Sequence, residues 1–324
     1  MEPLEIGNLK IYPIVLPVHH NLKSFNSYLV KDEYSLTLID AGINNEDYWN
    51  LFIETMSSNG FTIGDLSGIY ITHHHVDHVG LVNRIVAESS VSVYSHAKAI
   101  PRLKRDPTFL KGRIDFFKRL YEEMGCGKAG LEQVHKLENA LIKNKHLEIN
   151  ADITLLEKKI HPFDVIEMPG HSPDQVAFFN EKSRTLFAGD LLINHISSNA
   201  FVEPDENGER IFSLLEQISS LRKCLTLSVD YIFSGHGTII DQPKQLIETR
   251  LANIENKAMR ILSLIQAGSL TANEIAKQFY KKTYEMQFSL VMSEIIGHID
   301  YLEANNRIWK EKIDGVWHYS TRKE

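Results

Sequence analysis

Four histidines and one aspartate stand within six residues of this 324-residue chain, and this segment constrains fold and chemistry more than any other. It follows an apolar strand-like run at 68–72 and precedes an apolar helical pattern at 79–87, so it predicts a loop that displays ligands where a strand ends. Neutral imidazole and carboxylate groups suit zinc, iron or manganese. Alternate residues of an extended segment point the same way, so the first pair of candidate ligands can bind one ion. The second pair can then bind another ion. These pairs are His73 with His75, and Asp77 with His78.

Three later segments offer the remaining ligands, because each ends a strand-like run and places glycine directly before a histidine or an aspartate. Glycine lets the backbone turn sharply and brings the next side chain close to an ion. One such dipeptide is weak evidence, since a lone histidine at a strand end is more often a satisfied polar residue than a ligand. Three such dipeptides together with the first loop favour a metal site. The three dipeptides are Gly170-His171, Gly189-Asp190 and Gly235-His236.

Strand-like and helical patterns interleave over the first hundred residues, and strand-like runs resume after residue 150, which predicts a layered α/β domain. Between about 101 and 150 a helical periodicity, broken near Gly125 to Gly130, predicts an inserted pair of helices. Past about residue 251, three helical patterns and a hairpin signature at 307–319 predict a small domain whose order resembles a winged helix. Strands are expected at 9–16, 27–30, 36–39, 68–72, 91–94, 153–155, 165–168, 176–180, 185–188 and 231–233, and helices at 45–59, 79–87, 254–266, 271–279 and 289–305.

The ordered set His-x-His-x-Asp-His, then His, Asp and His, resembles the metallo-β-lactamase superfamily over about residues 8 to 245. The segment 38–42, Leu-Ile-Asp-Ala-Gly, resembles the first motif of that family. The resemblance implies an αβ/βα sandwich with its site along one edge. It places the hydrolase domain at 1–250, including the helical insertion, and the winged-helix-like domain at 251–324. By the same resemblance, His73, His75 and His171 bind the first ion, and Asp77, His78 and His236 bind the second. Asp190 bridges the two ions. Asp40 contacts the ligands rather than the ions.

Such a site implies a hydrolase with two divalent metal ions, zinc before iron or manganese. Two cations roughly 3.5 to 4 Å apart lower the pKa of a shared water and clamp the substrate oxygen, so a metal-bridging hydroxide forms at neutral pH. Asp77 is the expected catalytic residue, which orients this nucleophile or accepts its proton. The expected substrate is a small, anionic molecule that contains an activated carbonyl, such as a thioester or a lactone. The mildly basic helical insertion is expected to cover the bound substrate.

Two alternatives stay open: a phosphodiesterase or endoribonuclease of the same superfamily, and a noncatalytic regulator that binds nucleic acid. The formal net charge of −7 and the near balance of 10 Lys and Arg against 9 Asp and Glu in residues 251–324 disfavour nucleic acid as a partner. The apolar runs are too short for a membrane span, and the N-terminus has no basic segment before an apolar core. A small-molecule partner, no membrane contact and a cytoplasmic location are therefore expected, while a homodimer is left open.

Several other histidines lie near the candidate ligands in the chain. His74 is expected to point away from them, because it lies between two of them in an extended segment. His195, five residues after Asp190, is either a substrate contact or a satisfied histidine, and both interpretations stay open. His19 and His20 lie in a loop that could overhang the site, although a plain turn is favoured.

Overall fold

The computed structural model describes residues 3–268 and 271–321. Met1 and Glu2, which belong to the segment without an export pattern, lie outside the described residues, as do 269–270 and 322–324 of the C-terminal region. The chain divides into two compact units. The first comprises Met1–Arg105, Leu147–Ser198 and Ser220–Ile247, and the second comprises Asp106–His146, Asn199–Ser219 and Glu248–Glu324.

A seven-stranded sheet forms one layer of the first unit, with its strands side by side in chain order. Its first four strands are antiparallel neighbours, and its last four run parallel, which requires connections that cross from one end of the sheet to the other. The strands are β1 (Leu4–Ile6), β2 (Leu9–Pro17), β3 (Ser24–Lys31), β4 (Leu36–Ile39), β5 (Gly68–Tyr70), β6 (Val93–Ser95) and β7 (Ile153–Leu155).

Helices connect the parallel strands and cover one face of this sheet. Trp49, Phe52 and Ile85 lie on these helices and form a buried cluster with Leu29 and Leu38 of the sheet. The amphipathic spacing that predicts helices at 45–59 and 79–87 therefore reflects burial against the sheet. The helices are α1 (Glu46–Ser58), α2 (Val76–Val79), α3 (Val82–Glu88) and α4 (Ile100–Leu103).

A five-stranded sheet packs against the other face of the first sheet. Tyr28 and Tyr70 from the first sheet share a buried cluster with Phe178, Phe187 and Phe233 from the second. Helices on one side and a second sheet on the other give the layered α/β sandwich that the sequence predicts. The strands of the second sheet are β8 (Lys159–Ile160), β9 (Phe163–Glu167), β10 (Val176–Asn180), β11 (Thr185–Gly189) and β12 (Tyr231–Ser234), in the spatial order β12-β11-β10-β9-β8.

The second unit is mainly helical and has a core of its own. Phe117, Tyr121, Ile261, Ile275 and Ile295 belong to one buried cluster that joins helices distant in the chain. The remaining elements are α5 (Pro107–Glu123), α6 (Gly127–Lys143), α7 (Ser213–Thr226), α8 (Pro243–Gln266), α9 (Ala272–Tyr280), α10 (Lys282–Met286), α11 (Phe288–Ala304), β13 (Trp309–Ile313) and β14 (Val316–Ser320). Helices α7 and α8 each begin in one unit and end in the other.

The helical insertion is grouped differently from the sequence-based domain assignment. The sequence places it inside the 1–250 domain, whereas the structure groups 106–146 with the C-terminal helices. The physical reason is the apolar face of α5, from which the Tyr121 ring lies 5.1 Å from the Phe288 ring of α11. Periodicity reveals such a face but not what covers it. The winged-helix assignment of the C-terminal elements stays a prediction.

No helix within residues 3–268 and 271–321 is both long enough and apolar enough to span a lipid bilayer.

Candidate metal centre

The ligand loop begins just beyond the end of β5 and continues into the single turn of α2. His73 and His75 belong to the extended part, and their ring centroids lie 4.6 Å apart. Asp77 and His78 follow on α2, whose N-cap position is His75. The extended segment thus contributes two side chains on one side, and the helical turn contributes two more.

Three imidazole nitrogens converge in a first group of side chains. His75 Nδ1 lies 2.9 Å from His73 Nε2 and 3.0 Å from His171 Nε2. The three ring nitrogens all lie within 4.8 Å of one another. Because His171 follows β9 of the second sheet and the other two follow β5 of the first, this group joins the two sheets at one edge of the sandwich.

A second group lies beside the first and is centred on Asp190. Its Oδ2 lies 3.1 Å from His236 Nε2 and 3.5 Å from His171 Nε2. Its Oδ1 lies 3.5 Å from His78 Nε2. Asp77 completes the group, with its Oδ2 3.5 Å from His236 Nε2. The Asp190 carboxylate therefore contacts histidines of both groups.

Hydrogen bonds from the ligand histidines to residues outside the two groups determine which nitrogen of each ring faces the cluster. Asp40 Oδ2 accepts a hydrogen bond from His78 Nδ1 at 2.8 Å and another from Thr72 Oγ1 at 2.8 Å. Since the Thr72 hydroxyl donates to Asp40, its oxygen is free to accept from His73 Nδ1, which lies 3.1 Å away. Asp40 thus assigns the protons of two rings to Nδ1 and leaves their Nε2 lone pairs directed at the cluster.

The other two rings that present Nε2 are held in the same way. His236 Nδ1 lies 2.8 Å from the main-chain oxygen of Ser24, which accepts its proton. His171 Nδ1 lies 3.0 Å from Ser198 Oγ. A ring nitrogen that is bonded outward leaves the opposite nitrogen available as an inward-facing acceptor.

Burial and neighbouring charges separate the pKa values of these groups. Burial and the adjacent histidines lower the pKa of His73 and of His75 well below the usual value, so both rings are neutral at pH 7. Burial also lowers the pKa of His78, but Asp40 and Asp190 outweigh it and raise that pKa to about 10. Burial raises the pKa of Asp190, but the surrounding histidines outweigh it and hold that pKa well below its usual range. The buried carboxylates thus favour a positive charge among them.

The donor set fits divalent metal ions. His78 Nε2 and Asp190 Oδ1 are buried and have no hydrogen-bond partner within the described ranges. Asp40 takes the Nδ1 proton of His78, so a cation that replaces the proton on Nε2 can bind both His78 Nε2 and Asp190 Oδ1. Three sets of side chains offer ligand atoms within 4.8 Å of one another: His73, His75 and His171; His73, His78 and Asp190; and Asp77, His78 and His236.

Two glycines allow this close approach. A Cβ at Gly235 would lie 2.4 Å from His78 Cε1 and 2.6 Å from Asp190 Oδ1. Gly189 has a φ of +49°, and a Cβ there would lie 2.6 Å from Thr72 Oγ1. These are two of the three glycines that the sequence places directly before candidate ligands, and here their lack of a side chain makes room for the cluster.

The family model of the metallo-β-lactamase superfamily matches residues 23–236, a range that contains every side chain of the two groups. This chain belongs to the metallo-β-lactamase superfamily. It is accordingly a metal-dependent hydrolase whose His and Asp clusters suit divalent metal ions. The αβ/βα sandwich that the sequence implies is therefore the observed fold.

Two named relatives are similar to this chain in sequence, and one solved structure is similar to it in fold. The "Probable metallo-hydrolase YqjP" of Bacillus subtilis (strain 168) is 31% identical over 299 residues, which make up 91% of this chain and 91% of that protein. The "Atrochrysone carboxyl ACP thioesterase" of Aspergillus fumigatus is 22% identical over 251 residues, or 77% of this chain and 62% of that protein. A metallo-β-lactamase family protein from Thermus thermophilus has a TM-score of 0.74 at 21% identity, covering 96% of this chain and 98% of that chain.

Two other histidines that sequence reasoning weighs lie beside the cluster with different partners. His74 points to Asp174, whose Oδ2 accepts its main-chain N–H at 2.8 Å and whose Oδ1 lies 2.7 Å from its Nδ1. That orientation away from the ligands is the expected one. His195 Nε2 lies 2.8 Å from the main-chain oxygen of Asn21. Asn21 belongs to the turn at 18–23, of which residues 19–21, including His19 and His20, are exposed.

Sequence reasoning names the ligand candidates and misses most of the residues that hold them. Thr72 and Asp174 have a local signal, since Thr72 directly precedes His73 and Asp174 stands three residues after His171. Ser24 and Ser198 have none, because their contacts with His236 and His171 form only when distant segments meet.

Proposed function

We propose that this protein is a dinuclear hydrolase that cleaves an activated carbonyl, of the thioester or lactone type, in a small anionic substrate. One observation carries the dinuclear part: the Asp190 carboxylate lies within 3.5 Å of histidine nitrogens in both groups. A single tetrahedral zinc ion needs four ligands, of which a catalytic site supplies about three from protein. Seven candidate side chains converge here, enough for two ions with open positions.

The proposed assignment of ligands follows the two groups. His73, His75 and His171 hold the first ion, because their three inward nitrogens form one set. A second set holds the second ion, and Asp190 is shared between them. Zinc is the proposed metal, since imidazole with carboxylate is a common zinc environment, although iron and manganese accept the same donors. The second set comprises Asp77, His78 and His236.

The proposed mechanism divides the work between the ions and Asp77. When bound, the ions lower the pKa of a coordinated water and polarise the substrate carbonyl. Asp77 is partly exposed at the cluster, with its Oδ2 3.5 Å from His236 Nε2. Its carboxylate can accept a hydrogen bond from the attacking water, which orients that water and receives its proton. No side-chain nucleophile is needed for this chemistry.

Carbonyl chemistry is supported by a relative and by the surface beside the ligands. The Aspergillus fumigatus relative is named as a thioesterase. Val76 lies between His75 and Asp77 and is 52% exposed, so apolar surface is available directly beside the cluster. An acyl group is a better match for that surface than a phosphodiester, because burying methylene groups against it is favourable.

A role as a nucleic-acid-binding regulator is disfavoured by the burial of α11. In helix-turn-helix proteins and their relatives, the recognition helix must be accessible to enter the major groove. The helix that precedes the hairpin in this chain is α11, and of its 17 residues only Ala304 is exposed. Its remaining surface is packed within the second unit or partly covered, which disfavours its entry into a DNA groove.

A substrate panel tests the proposal. Metal-free protein, obtained by chelation, is reconstituted with zinc, iron or manganese and assayed with N-acetylcysteamine thioesters, acyl lactones, an aryl phosphodiester and RNA. We expect metal-dependent thioester or lactone hydrolysis that Asp77→Asn lowers by about 100-fold, as for loss of a general base. The matched control Asp47→Asn changes an exposed aspartate of α1 and should retain full activity. Metal-replete protein that hydrolyses none of the carbonyl substrates would contradict the proposal, and cleavage of phosphodiesters alone would replace it.

A further inference from the structure

The turn between β2 and β3 lies beside the second group of ligand candidates. Its main chain closes on itself, with Val18 N–H donating to Lys23 O at 2.8 Å and Lys23 N–H donating to His20 O at 2.9 Å. The His20 ring lies 5.7 Å from the Phe25 ring, which in turn lies 5.8 Å from the His236 ring. The side chains at 19–21 are exposed, so few buried contacts hold the tip of the turn.

His195 connects this turn to the loop that carries His236. Its Nε2 lies 2.8 Å from Asn21 O, a carbonyl, so Nε2 carries the proton and donates it. The Nδ1–Cε1 edge of the ring lies against Gly237, where a Cβ would come within 2.6 Å of His195 Nδ1 and 2.8 Å of Cε1. Next to it, Asn194 Nδ2 donates to Thr238 Oγ1 at 2.9 Å. The His195 ring therefore fills the space between the tip of the turn and the residue after His236.

The candidate ligands do not depend on His195 for their own positions. His236 Nδ1 is held by Ser24 O at 2.8 Å, and Gly237 N–H donates to Ser24 Oγ at 2.9 Å. Ser24 begins β3 and is buried, so the end of the turn is anchored separately from its tip. Loss of His195 would free the tip while these anchors remain.

We propose that His195 is a positioning residue, which fixes the tip of the 18–23 turn against the His236–Gly237 segment so that the turn forms a rigid wall for the bound substrate. The inference rests on the proposed function for the identity of the substrate. It assigns to His195 no contact with the reacting atoms. A rigid wall reduces the ordering cost of binding, so its loss weakens binding more than it slows the chemical step.

Three substitutions separate the hydrogen bond from the bulk of the ring. His195→Ala removes both, and His195→Phe keeps a ring without the donor. His195→Gln restores a donor that can reach the Asn21 carbonyl. His146→Ala is the matched control, because that exposed histidine also lies near a main-chain oxygen, Lys143 O at 3.1 Å.

Hydrogen exchange and metal analysis test the proposal without any substrate. In His195→Ala and His195→Phe we expect the amides of Val18, Leu22 and Lys23 to exchange at least about fivefold faster, as for the loss of one neutral hydrogen bond. His195→Gln and His146→Ala should exchange at the wild-type rate. Metal content should stay unchanged in all four variants. Unchanged exchange in His195→Ala, or loss of a metal ion from it, would overturn the proposal.

Kinetics with a butyryl thioester of N-acetylcysteamine give the second readout. We expect KM to rise about fivefold to tenfold in His195→Ala while kcat stays within about twofold, and His195→Gln to restore KM. A fall in kcat at constant KM would overturn the positioning role. If the wild type hydrolyses neither the thioesters nor the lactones of the substrate panel, the proposed function fails, and the exchange experiment still decides whether His195 holds the turn.

Discussion

Replacement of Asp40 by asparagine tests how the candidate ligands are oriented. Asp40 accepts hydrogen bonds from Thr72 N, Thr72 Oγ1 and His78 Nδ1, each at 2.8 Å. Its φ is +55°, a conformation that asparagine adopts more readily than most residues, so Asp40→Asn preserves the backbone. The amide can keep the bond from Thr72 N, but its NH2 group then faces two donors. His78 must move its proton to Nε2, and the lone pair directed at Asp190 is lost.

The expected loss in metal affinity is about 10- to 100-fold, the usual effect of removing the outer partner of a ligating histidine. This corresponds to about 1.4 to 2.7 kcal/mol. The effect extends to both groups, because the Thr72 hydroxyl also lies 3.1 Å from His73 Nδ1.

Competition titration of zinc against a chromogenic chelator measures this affinity, and circular dichroism checks the fold. Asp32→Asn is the matched control, since Asp32 is also buried and accepts from Tyr34 N, Ser35 N and Ser35 Oγ. It should bind zinc as the wild type does. A zinc affinity of Asp40→Asn within twofold of wild type, with the fold intact, would refute the reasoning.

Three further substitutions examine neighbouring parts of the site. Asp190→Asn should lower the metal content below two ions and hydrolysis by about 100-fold, measured by elemental analysis and initial rates, and two retained ions would contradict it. His74→Ala removes the partner of the buried Asp174 and should lower the free energy of unfolding in urea by about 3 kcal/mol at unchanged metal content. Burial raises the pKa of Asp174, but His74 outweighs burial and lowers this pKa in the folded protein. The pair therefore stabilises the fold above about pH 4, and this stabilisation is lost progressively at lower pH. A difference in unfolding free energy between wild type and His74→Ala that is as large at pH 3 as at pH 7 would contradict this. Gly235→Ala places a Cβ within 2.4 Å of His78 Cε1 and should weaken zinc binding at least about tenfold in the same titration, whereas wild-type affinity would show that the loop adjusts freely.

The ligand candidates can be named from the sequence because their signal is local. His73, His75, Asp77 and His78 are spaced by the alternation of an extended segment and by one helical turn, and both geometries follow from the chain itself. The glycine before each later candidate is equally readable. Most of the predicted strands lie within two residues of their observed bounds. Strands β4 and β10 are examples, because each is mostly apolar and buried at every position.

Other features depend on contacts that no local pattern contains. The bond between His74 and Asp174 joins residues 100 positions apart, and the bond between His195 and Asn21 joins residues 174 positions apart. The grouping of 106–146 with the C-terminal helices likewise depends on which surface covers α5.

Some elements have readable signals that the sequence-based prediction does not use. Helix α7 is absent from it, although Leu214, Ile218 and Leu221 follow helical spacing and are all buried. Helix α8 is predicted to begin at 254 and in fact begins at Pro243, a residue type typical of the first helical position.

The number of metal ions bound per chain tests the central claim most directly. Purified protein is saturated with zinc, dialysed against metal-free buffer and examined by elemental analysis, with hydrolysis of the thioester panel measured on the same sample. We expect two ions per chain and an activity that requires the second ion. One ion per chain at saturation, with full hydrolytic activity, would contradict the bridged two-ion site centred on Asp190.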